Sequence, residues 1–353
     1  MRVLLVNTNR SRDLLPPPPV GLAYLASAAA DAGHEIEILD LLRSDDPGET
    51  LRRAVRRLSP DVVGLSVRNL DNLIRQRVRP QLVDVSRLLE VVRAESRAAV
   101  VLGGSAVSIA GAATLRHLDA DYAVVGEGER SFVLLLEALG GRRPFETVPG
   151  LLRRQGADVL VTPPRREERF GRSGLERWVD WRDYEKLGAT WPIQAKRGCP
   201  LPCNYCLYGA IEGARHRLRP TSEVVAEMAA VQAAARPRAF EFVDSTFNVP
   251  ADHALAVCEE ITRRGLRTAL TAQGVNPLAA TPPMLATMRR AGFNSFMVSA
   301  ESASDLMLER LGKGYTSAHV HRTRDATRES GMVSLWFFML GGPGETEDTV
   351  EET

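Results

Sequence analysis

The stretch Arg197-Gly198-Cys199-Pro200-Leu201-Pro202-Cys203-Asn204-Tyr205-Cys206 decides how this chain is read. It gathers three of the four cysteines, spaced C-x3-C-x2-C, directly after a strand-like run at residues 193–196. Thiolates are soft anionic ligands suited to iron–sulfur clusters, and three on one short loop can each take one iron of a [4Fe-4S] cube while the fourth iron stays open. Zinc is the rival, but a structural zinc site closes on four ligands, often supplied in two pairs. Cys258 and His216, the remaining candidates, are single residues without a paired partner. Three clustered cysteines do not make a disulfide framework for a chain of 353 residues. Pro200 and Pro202 stiffen the loop, an ordinary turn function as well. Cys258, alone in a helical stretch, reads as a small buried apolar residue.

Downstream of the cysteines, helical spacing at 222–235, 251–264, 283–291 and 317–329 alternates with strand runs at 240–243, 267–272, 295–299 and 333–340. The strand runs end on Asp244-Ser245, Gln273-Gly274, Ala300-Glu301-Ser302 and Gly341-Gly342-Pro343-Gly344-Glu345-Thr346. Repeated βα units with polar strand ends are the pattern of catalytic barrels. Counted from Ile193, about five strands predict a partial TIM-type barrel. An isolated polar residue such as Asp244 also suits a helix cap.

Upstream, strands at 3–7, 35–39, 61–66, 99–102 and 122–125 alternate with helices at 20–32, 50–58, 80–95, 110–118 and 129–139. Apolar strands separated by helices predict an α/β domain with a doubly wound parallel sheet, Rossmann-like or flavodoxin-like. Ligands of such sheets sit beyond the carboxyl ends of the strands. Those ends carry Asn7-Thr8-Asn9, Ser66-Val67-Arg68-Asn69, Gly103-Gly104-Ser105 and Gly126-Glu127-Gly128-Glu129. Neither G-x-G-x-x-G after the first strand nor G-x-x-x-x-G-K-[ST] occurs, which makes NAD, FAD and ATP poor occupants.

Residues 141–190 are poorer in periodic signal and are expected to link the two domains, with a small hairpin over 146–161. Trp178, Trp181, Tyr184 and Trp191 cluster near the first catalytic strand, as packing between domains or as the wall of a cavity. His34, in a turn, is expected to serve structure rather than catalysis.

Hydrophobic residues make up 44% of the chain and charged residues 25%, with 45 Lys+Arg against 44 Asp+Glu. A nucleic-acid partner would show as a clustered basic excess, and none is expected. Arginine pairs such as Arg52-Arg53 and Arg56-Arg57 read mostly as solvated surface. The most apolar long stretch, residues 20–30, falls short of the ~20 residues of a membrane helix. The N-terminus opens on a strand run without the features of a secretory peptide, and clustered free cysteines suit a reducing cytoplasm.

With these motifs set side by side, the chain resembles the cobalamin-dependent radical SAM enzymes, most of all their methyltransferases. The N-terminal part of the resemblance rests on several segments. They are residues 3–7, the loop 16–19 leading into Val20-Gly21-Leu22-Ala23-Tyr24-Leu25-Ala26, and Ala32-Gly33-His34-Glu35. Pro60-Asp61-Val62-Val63-Gly64-Leu65-Ser66, Leu102-Gly103-Gly104 and Val125-Gly126-Glu127-Gly128-Glu129 complete the set. It implies a cobalamin-binding domain at 1–140, a linker at 141–190 and a radical SAM domain at 191–353. The family barrel has six strands and often a further C-terminal region, so the second domain is expected to be incomplete.

In that family the strand-end loops surround the corrin, which implies contacts from Asn9, Ser66, Gly103, Gly104, Ser105, Gly126 and Glu127. The aspartate-x-histidine-x-x-glycine motif of other cobalamin carriers is missing, as is common in the radical SAM branch. Arg68 is then the candidate to approach the cobalt from below, or else a surface or corrin-amide contact. The resemblance further implies that Cys199, Cys203 and Cys206 ligate the cluster and that Tyr205 lies near the adenine of S-adenosylmethionine (SAM). It places Glu301 at the SAM amino or ribose group, Gly341 and Gly342 by the adenine, and Asp244 and Gln273 at SAM or substrate.

The implied cofactors are a [4Fe-4S] cluster, SAM and cobalamin. The implied reaction moves a methyl group from SAM through methylcobalamin to an unactivated carbon or to phosphorus. A radical formed from a second SAM would open the substrate. Expected partners are a small-molecule or peptide substrate and a low-potential electron donor such as flavodoxin or ferredoxin. A cobalamin-dependent radical cyclase, a ring-rearranging enzyme, a non-radical methylase and a non-catalytic cobalamin sensor are the alternatives on the same scaffold.

Overall fold

The computed structural model of the protein describes residues 1–11, 15–72, 74–156 and 158–353. They form two compact units, Met1–Glu167 with Ser173–Leu187 and Glu168–Arg172 with Gly188–Thr353.

In the first unit β1 (Arg2–Asn7) holds a run from Val3 to Val6 that is fully buried. A strand covered on both faces must be apolar throughout, which is why this run does not alternate. It is followed by α1 (Val20–Asp31), β2 (Glu35–Asp40), α2 (Pro47–Leu58), β3 (Val62–Ser66), α3 (Gln81–Glu95) and β4 (Ala99–Gly103). Then come α4 (Ser105–Leu118), β5 (Tyr122–Val124) and α5 (Gly128–Leu139). Strands β1 to β5 are all parallel, in the order β2-β1-β3-β4-β5. The pleat divides β1 between two cores. Leu4 and Val6 meet residues of α2, α3 and α4 on one face, and Val3 and Leu5 meet residues of α1 and α5 on the other.

Of residues 141–190, expected as a linker, those up to Glu167 and Ser173–Leu187 belong to this unit, and Glu168–Arg172 and the residues from Gly188 to the second. A hairpin of β6 (Leu151–Gln155) and β7 (Asp158–Val161) extends the sheet antiparallel beyond β5. The chain then returns over α1, where the Trp178 indole N–H donates to Ser27 Oγ at 2.9 Å. It ends in α6 (Trp181–Lys186), capped by Asp180, with Trp181 and Tyr184 buried. The Met1 amino group lies 3.4 Å from His34 Nδ1, a structural contact as expected.

One helix starts earlier than its sequence suggests. Helix α4 begins at Ser105, not 110, and is kinked at Ala110. Gly104 opens it with φ 103°, and a Cβ there would lie 2.5 Å from the Val67 carbonyl oxygen. Only glycine lets the loop after β4 cross the loop after β3 this closely.

The second unit starts with β8 (Trp191–Ile193), β9 (Lys196–Arg197), α7 (Tyr208–Glu212) and β10 (Arg217–Leu218), where β9 and β10 form a small antiparallel pair. The repeating part is α8 (Thr221–Ala234), β11 (Ala239–Phe242), α9 (Ala251–Arg263), β12 (Ala269–Ala272), α10 (Pro282–Ala291) and β13 (Ser295–Glu301). It closes with α11 (Asp305–Arg310), α12 (Ser317–Ser330), β14 (Val333–Phe338) and α13 (Glu347–Glu351). Strands β8, β11 and β12 pair in parallel, as do β13 and β14. Bridges Leu270–Phe293 and Val275–Val298 join the two sets into a partial barrel. Phe242, Phe247 and Phe293 stack against each other in its core, with ring centroids 4.7–5.6 Å apart.

The strand expected at 193–196 is interrupted. The peptide N–H groups of Ala195 and Lys196 donate to the Asp244 carboxylate at 2.8 and 3.1 Å, which ends β8 and offsets β9 from it. Trp191, fully buried, belongs to this second core. No helix among the described residues is long and apolar enough to cross a membrane.

The glycine requirement after β4 is directly testable. Gly104→Ala combines a left-handed backbone with a clash against Val67, and strain of that kind costs about 1–3 kcal/mol. Urea denaturation should show a lower midpoint for the variant; an unchanged midpoint would mean that the two loops are not tied as described.

Candidate active site

The cysteine loop leaves β9 and is anchored along its length. Gly198 N–H donates to Glu212 Oε2 at 3.2 Å and Cys199 N–H to the Gly213 carbonyl at 3.0 Å, which fixes its start on α7. In its middle, Asn204 donates its backbone N–H to the Leu311 carbonyl at 3.2 Å and its side-chain amide to the Arg310 carbonyl at 2.6 Å. Gly312 completes this seat: its φ is 67°, and a Cβ would meet the Pro202 carbonyl oxygen at 2.6 Å. Cys206 N–H turns back to the Cys203 carbonyl at 3.2 Å.

Cys199 and Cys203 are half-buried and Cys206 is exposed. Burial pushes the Cys199 and Cys203 thiols up, and the neighbouring cysteines push them further. The three cysteines share one short loop, although among the described residues no group of three or more His, Cys, Asp or Glu side chains converges as a metal site; thiolates crowded on one loop repel and are relieved by a cationic metal group. A [4Fe-4S] cluster fits this donor set. Cys258 stands apart, fully buried in α9, its thiol pushed up to about 12 by burial.

Glu301 sits at the end of β13 in a left-handed conformation, φ 65°, where a bulge shifts the register against β14. A non-glycine residue held this way marks a position the surroundings over-determine. The Tyr315 hydroxyl lies 3.0 Å from both the Ser299 and Ala300 carbonyl oxygens and so holds the bulge. Lys313 Nζ reaches the Glu301 carboxylate at 3.7 Å and the Tyr205 hydroxyl at 3.0 Å. Burial, with the Glu301 charge beside it, pushes the Tyr205 hydroxyl up and keeps its proton on. The cysteine loop and the end of β13 thus meet through one ammonium.

Not every residue expected at the mouth is there. Asp244 is 2% exposed. One oxygen takes the two peptide N–H groups that end β8, and the other lies 3.4 Å from Lys196 Nζ, so it holds the strand rather than a ligand. Lys196 also donates to the Phe247 carbonyl at 2.8 Å, and burial pushes its pKa down. Gln273 is exposed at the end of β12. Gly341 is exposed and donates its N–H to Glu345 at 2.7 Å, while Gly342 packs against Met307, and Arg310 donates to the Gly344 carbonyl.

In the first unit, Ser66, Gly103, Gly104, Ser105, Gly126 and Glu127 share the carboxyl edge of the parallel sheet. Their loops are stitched together: Thr8 Oγ1 donates to the Ser66 carbonyl at 2.6 Å, Ser105 Oγ to the Arg68 carbonyl at 2.8 Å, and Gly126 N–H to Ser108 Oγ at 3.0 Å. A side chain at Gly103 would project into open space, which leaves room for a large flat ligand. The Arg68 side chain is exposed. Asn9 is 4% exposed and bonds within its own loop, donating its N–H to Asn7 Oδ1 and accepting at its Oδ1 from Ser11 N–H. Asn7, Asp40 and Tyr184 form a hydrogen-bonded group that closes the ends of β1 and β2.

Lys196, Glu212, Lys313 and Tyr315 were not singled out from sequence. Composition held a signal for two of them: of the 45 Lys+Arg residues only Lys186, Lys196 and Lys313 are lysine. Where arginine is the default cation, a lysine marks a place that needs a compact ammonium.

Removing one partner of a buried ion pair costs about 3–5 kcal/mol. Asp244→Ala strands the Lys196 ammonium and two peptide N–H groups, so its unfolding free energy in urea should fall by that amount. A loss no greater than that of an exposed aspartate would contradict this role.

The B12 binding domain family matches residues 13–136 and the Radical SAM superfamily residues 193–353. An uncharacterized methyltransferase of Pyrococcus horikoshii is 27% identical over 343 residues, which is 95% of this chain and 72% of the relative. The tryptophan 2-C-methyltransferase of Streptomyces laurentii is 26% identical over 415 residues, 99% of this chain and 69% of the relative. Two structures of the radical SAM methyltransferase TsrM from Kitasatospora setae superpose with a TM-score of 0.88 at 27% and 28% identity, over 99% of this chain and 68% and 69% of theirs. One holds cobalamin and a [4Fe-4S] cluster, the other tryptophan substrate and the SAM analogue aza-SAM. With a B12-binding sheet followed by a radical SAM half-barrel, the chain belongs to the cobalamin-dependent radical SAM enzymes and is most like their methyltransferases.

Proposed function

We propose that this enzyme moves a methyl group from SAM, by way of cobalamin, to an unactivated carbon or a phosphorus of a small-molecule substrate. Three thiols on one anchored loop, set beside Glu301 and Tyr205, support this most. When bound, the cluster supplies the electron that breaks a carbon–sulfur bond of SAM, and the cobalamin carries the methyl group.

The chain's own residues hold and orient. Cys199, Cys203 and Cys206 each ligate one iron. Glu301, aimed by its bulge, meets the SAM amino or ribose group, with Tyr205, Gly341 and Gly342 around the adenine and Gln273 at the SAM or substrate rim. In the first unit Ser66, Arg68, Gly103, Gly104, Ser105, Gly126 and Glu127 line the corrin edge. Orientation of this kind is where a protein lowers the barrier when the cofactors own the chemistry. Cluster reduction requires a low-potential donor such as flavodoxin or ferredoxin, in keeping with a reducing cytoplasm.

The test needs no knowledge of the substrate. After anaerobic reconstitution with iron and sulfide, the wild type should show cluster absorption and four irons per chain, and Cys199→Ala, Cys203→Ala and Cys206→Ala should each lose most of both. With cobalamin and methyl-labelled SAM under reducing conditions, label should appear on cobalamin. Formation of 5'-deoxyadenosine with no labelled cobalamin would instead favour a cyclase or rearrangement, and absence of any cluster would sink the catalytic assignment.

A further inference from the structure

Glu168–Arg172 belong to the second unit, although the chain on both sides of them belongs to the first. Successive residues of this short strap hold the second unit. Glu168 pairs with Arg215, and Arg169 with Glu223 at 3.1 Å. All four side chains are exposed, and exposed ion pairs contribute little. Phe170, half-buried, is the stronger hold. The guanidinium carbon of Arg197 lies 4.2 Å from its ring centroid and that of Arg219 5.7 Å. Both arginines are buried, at 6% and 3% exposure, and a cation removed from water is drawn to a ring more strongly than one at the surface.

What Phe170 covers is the base of the cysteine loop. Arg197 ends β9, and Cys199 follows two residues later. Arg197 Nε donates to Gln194 Oε1 at 3.0 Å, while Arg219 donates to the Gln194 carbonyl at 2.8 Å and to Glu227 at 2.7 Å. One ring thus lies over two guanidiniums that converge on Gln194, one from β9 and one from just after β10. Next to Arg197, Gly198 crosses the chain at Arg215 so closely that a Cβ would run into the Arg215 carbonyl oxygen. The Gly198 carbonyl lies 3.0 Å from His216 Nδ1. With Gly198 held on both sides, a displacement of Arg197 passes directly to Cys199.

We infer that Phe170 is a positioning residue for the cluster site: its ring fixes Arg197, and with it the start of the loop that carries Cys199, so that the cluster is retained. This rests on the cluster ligation proposed above. Phe170 does no chemistry of its own and acts through Arg197. Groups that orient metal ligands from behind tighten metal binding without touching the metal, and their loss typically weakens it about tenfold or more.

The test follows the loss of cluster absorption from anaerobically reconstituted protein, without SAM or cobalamin, after addition of excess EDTA. Phe170→Leu keeps most of the bulk and removes the ring, and it should lose the cluster about tenfold faster than the wild type. Phe170→Tyr keeps the ring and should lose it at the wild-type rate. A Phe170→Leu protein that cannot load a cluster at all, while Phe170→Tyr loads normally, is the same result carried further. In an Arg197→Leu background Phe170→Leu should make no further difference, and an acceleration as large as in the wild-type background overturns the route through Arg197. A Phe170→Leu protein that keeps its cluster as long as the wild type overturns the inference. So do loss rates that merely follow the urea midpoints of the apoproteins across the series, because Phe170 is then packing alone. Wild-type protein that assembles no cluster defeats the ligation proposal itself, a result separate from all of these.

Discussion

The Asp244 carboxylate accepts from the consecutive peptide N–H groups of Ala195 and Lys196, and the geometry of the second unit follows from that pairing. The Ala195 N–H would otherwise continue the ladder of β8 with β11. A buried peptide group must find a partner somewhere, and one that bonds a side chain is lost to the sheet. Strand β8 therefore stops after Ile193, and the chain emerges offset, as β9, into the cysteine loop. Lys196 balances the carboxylate from within the core, and Glu212 repeats the device one step later by accepting from Gly198 N–H and, at 3.0 Å, from Ser245 Oγ. One buried and one half-buried carboxylate thus set where three thiols begin.

A parallel sheet imposes a second constraint, that all its strands end on the same edge. In the first unit that edge is not uniform. Asn7, Asp40 and Tyr184 hydrogen-bond one another at the ends of β1 and β2. Over β3, β4 and β5 the loops are tied by bonds between Ser or Thr hydroxyls and backbone groups, and glycines stand at 103, 104 and 126 beside Arg68 and Glu127. A large planar ligand is served by such a surface, because backbone approach and not side-chain bulk sets the distance of closest contact.

Both domains, their parallel sheets and most strand positions were legible because buried parallel strands and amphipathic helices carry periodic signals within a few residues. The cysteine spacing was legible for the same reason: its meaning is local. What stayed hidden depends on distant partners. Nothing near residue 195 announces that Asp244 will take its N–H, and Asp244 at a strand end looked like a mouth residue for want of that knowledge. Asn9 poses the same difficulty, since an asparagine after a strand reads alike whether it turns inward or outward. Helix α11, six residues long, is too short to show a period, and residues 105–109 looked like loop because two glycines precede them and serines stand at 105 and 108.

The rarity of lysine connects composition to the site more closely than any motif beyond the cysteines. A guanidinium spreads five donors across a plane, and burying it requires acceptors all round that plane. At Lys196 the core offers the Asp244 carboxylate and the Phe247 carbonyl oxygen, with a ring 5.7 Å from the charge. At Lys313 it offers one hydroxyl and one carboxylate, with two tyrosine ring centroids 5.5 and 5.6 Å from the charge. Either set can satisfy an ammonium but would leave several guanidinium N–H groups unpaired, at a cost of about 1–3 kcal/mol for each unsatisfied group. Two of the three lysines, Lys196 and Lys313, thus stand where the cation is compact and enclosed, while the third, Lys186, is exposed on α6.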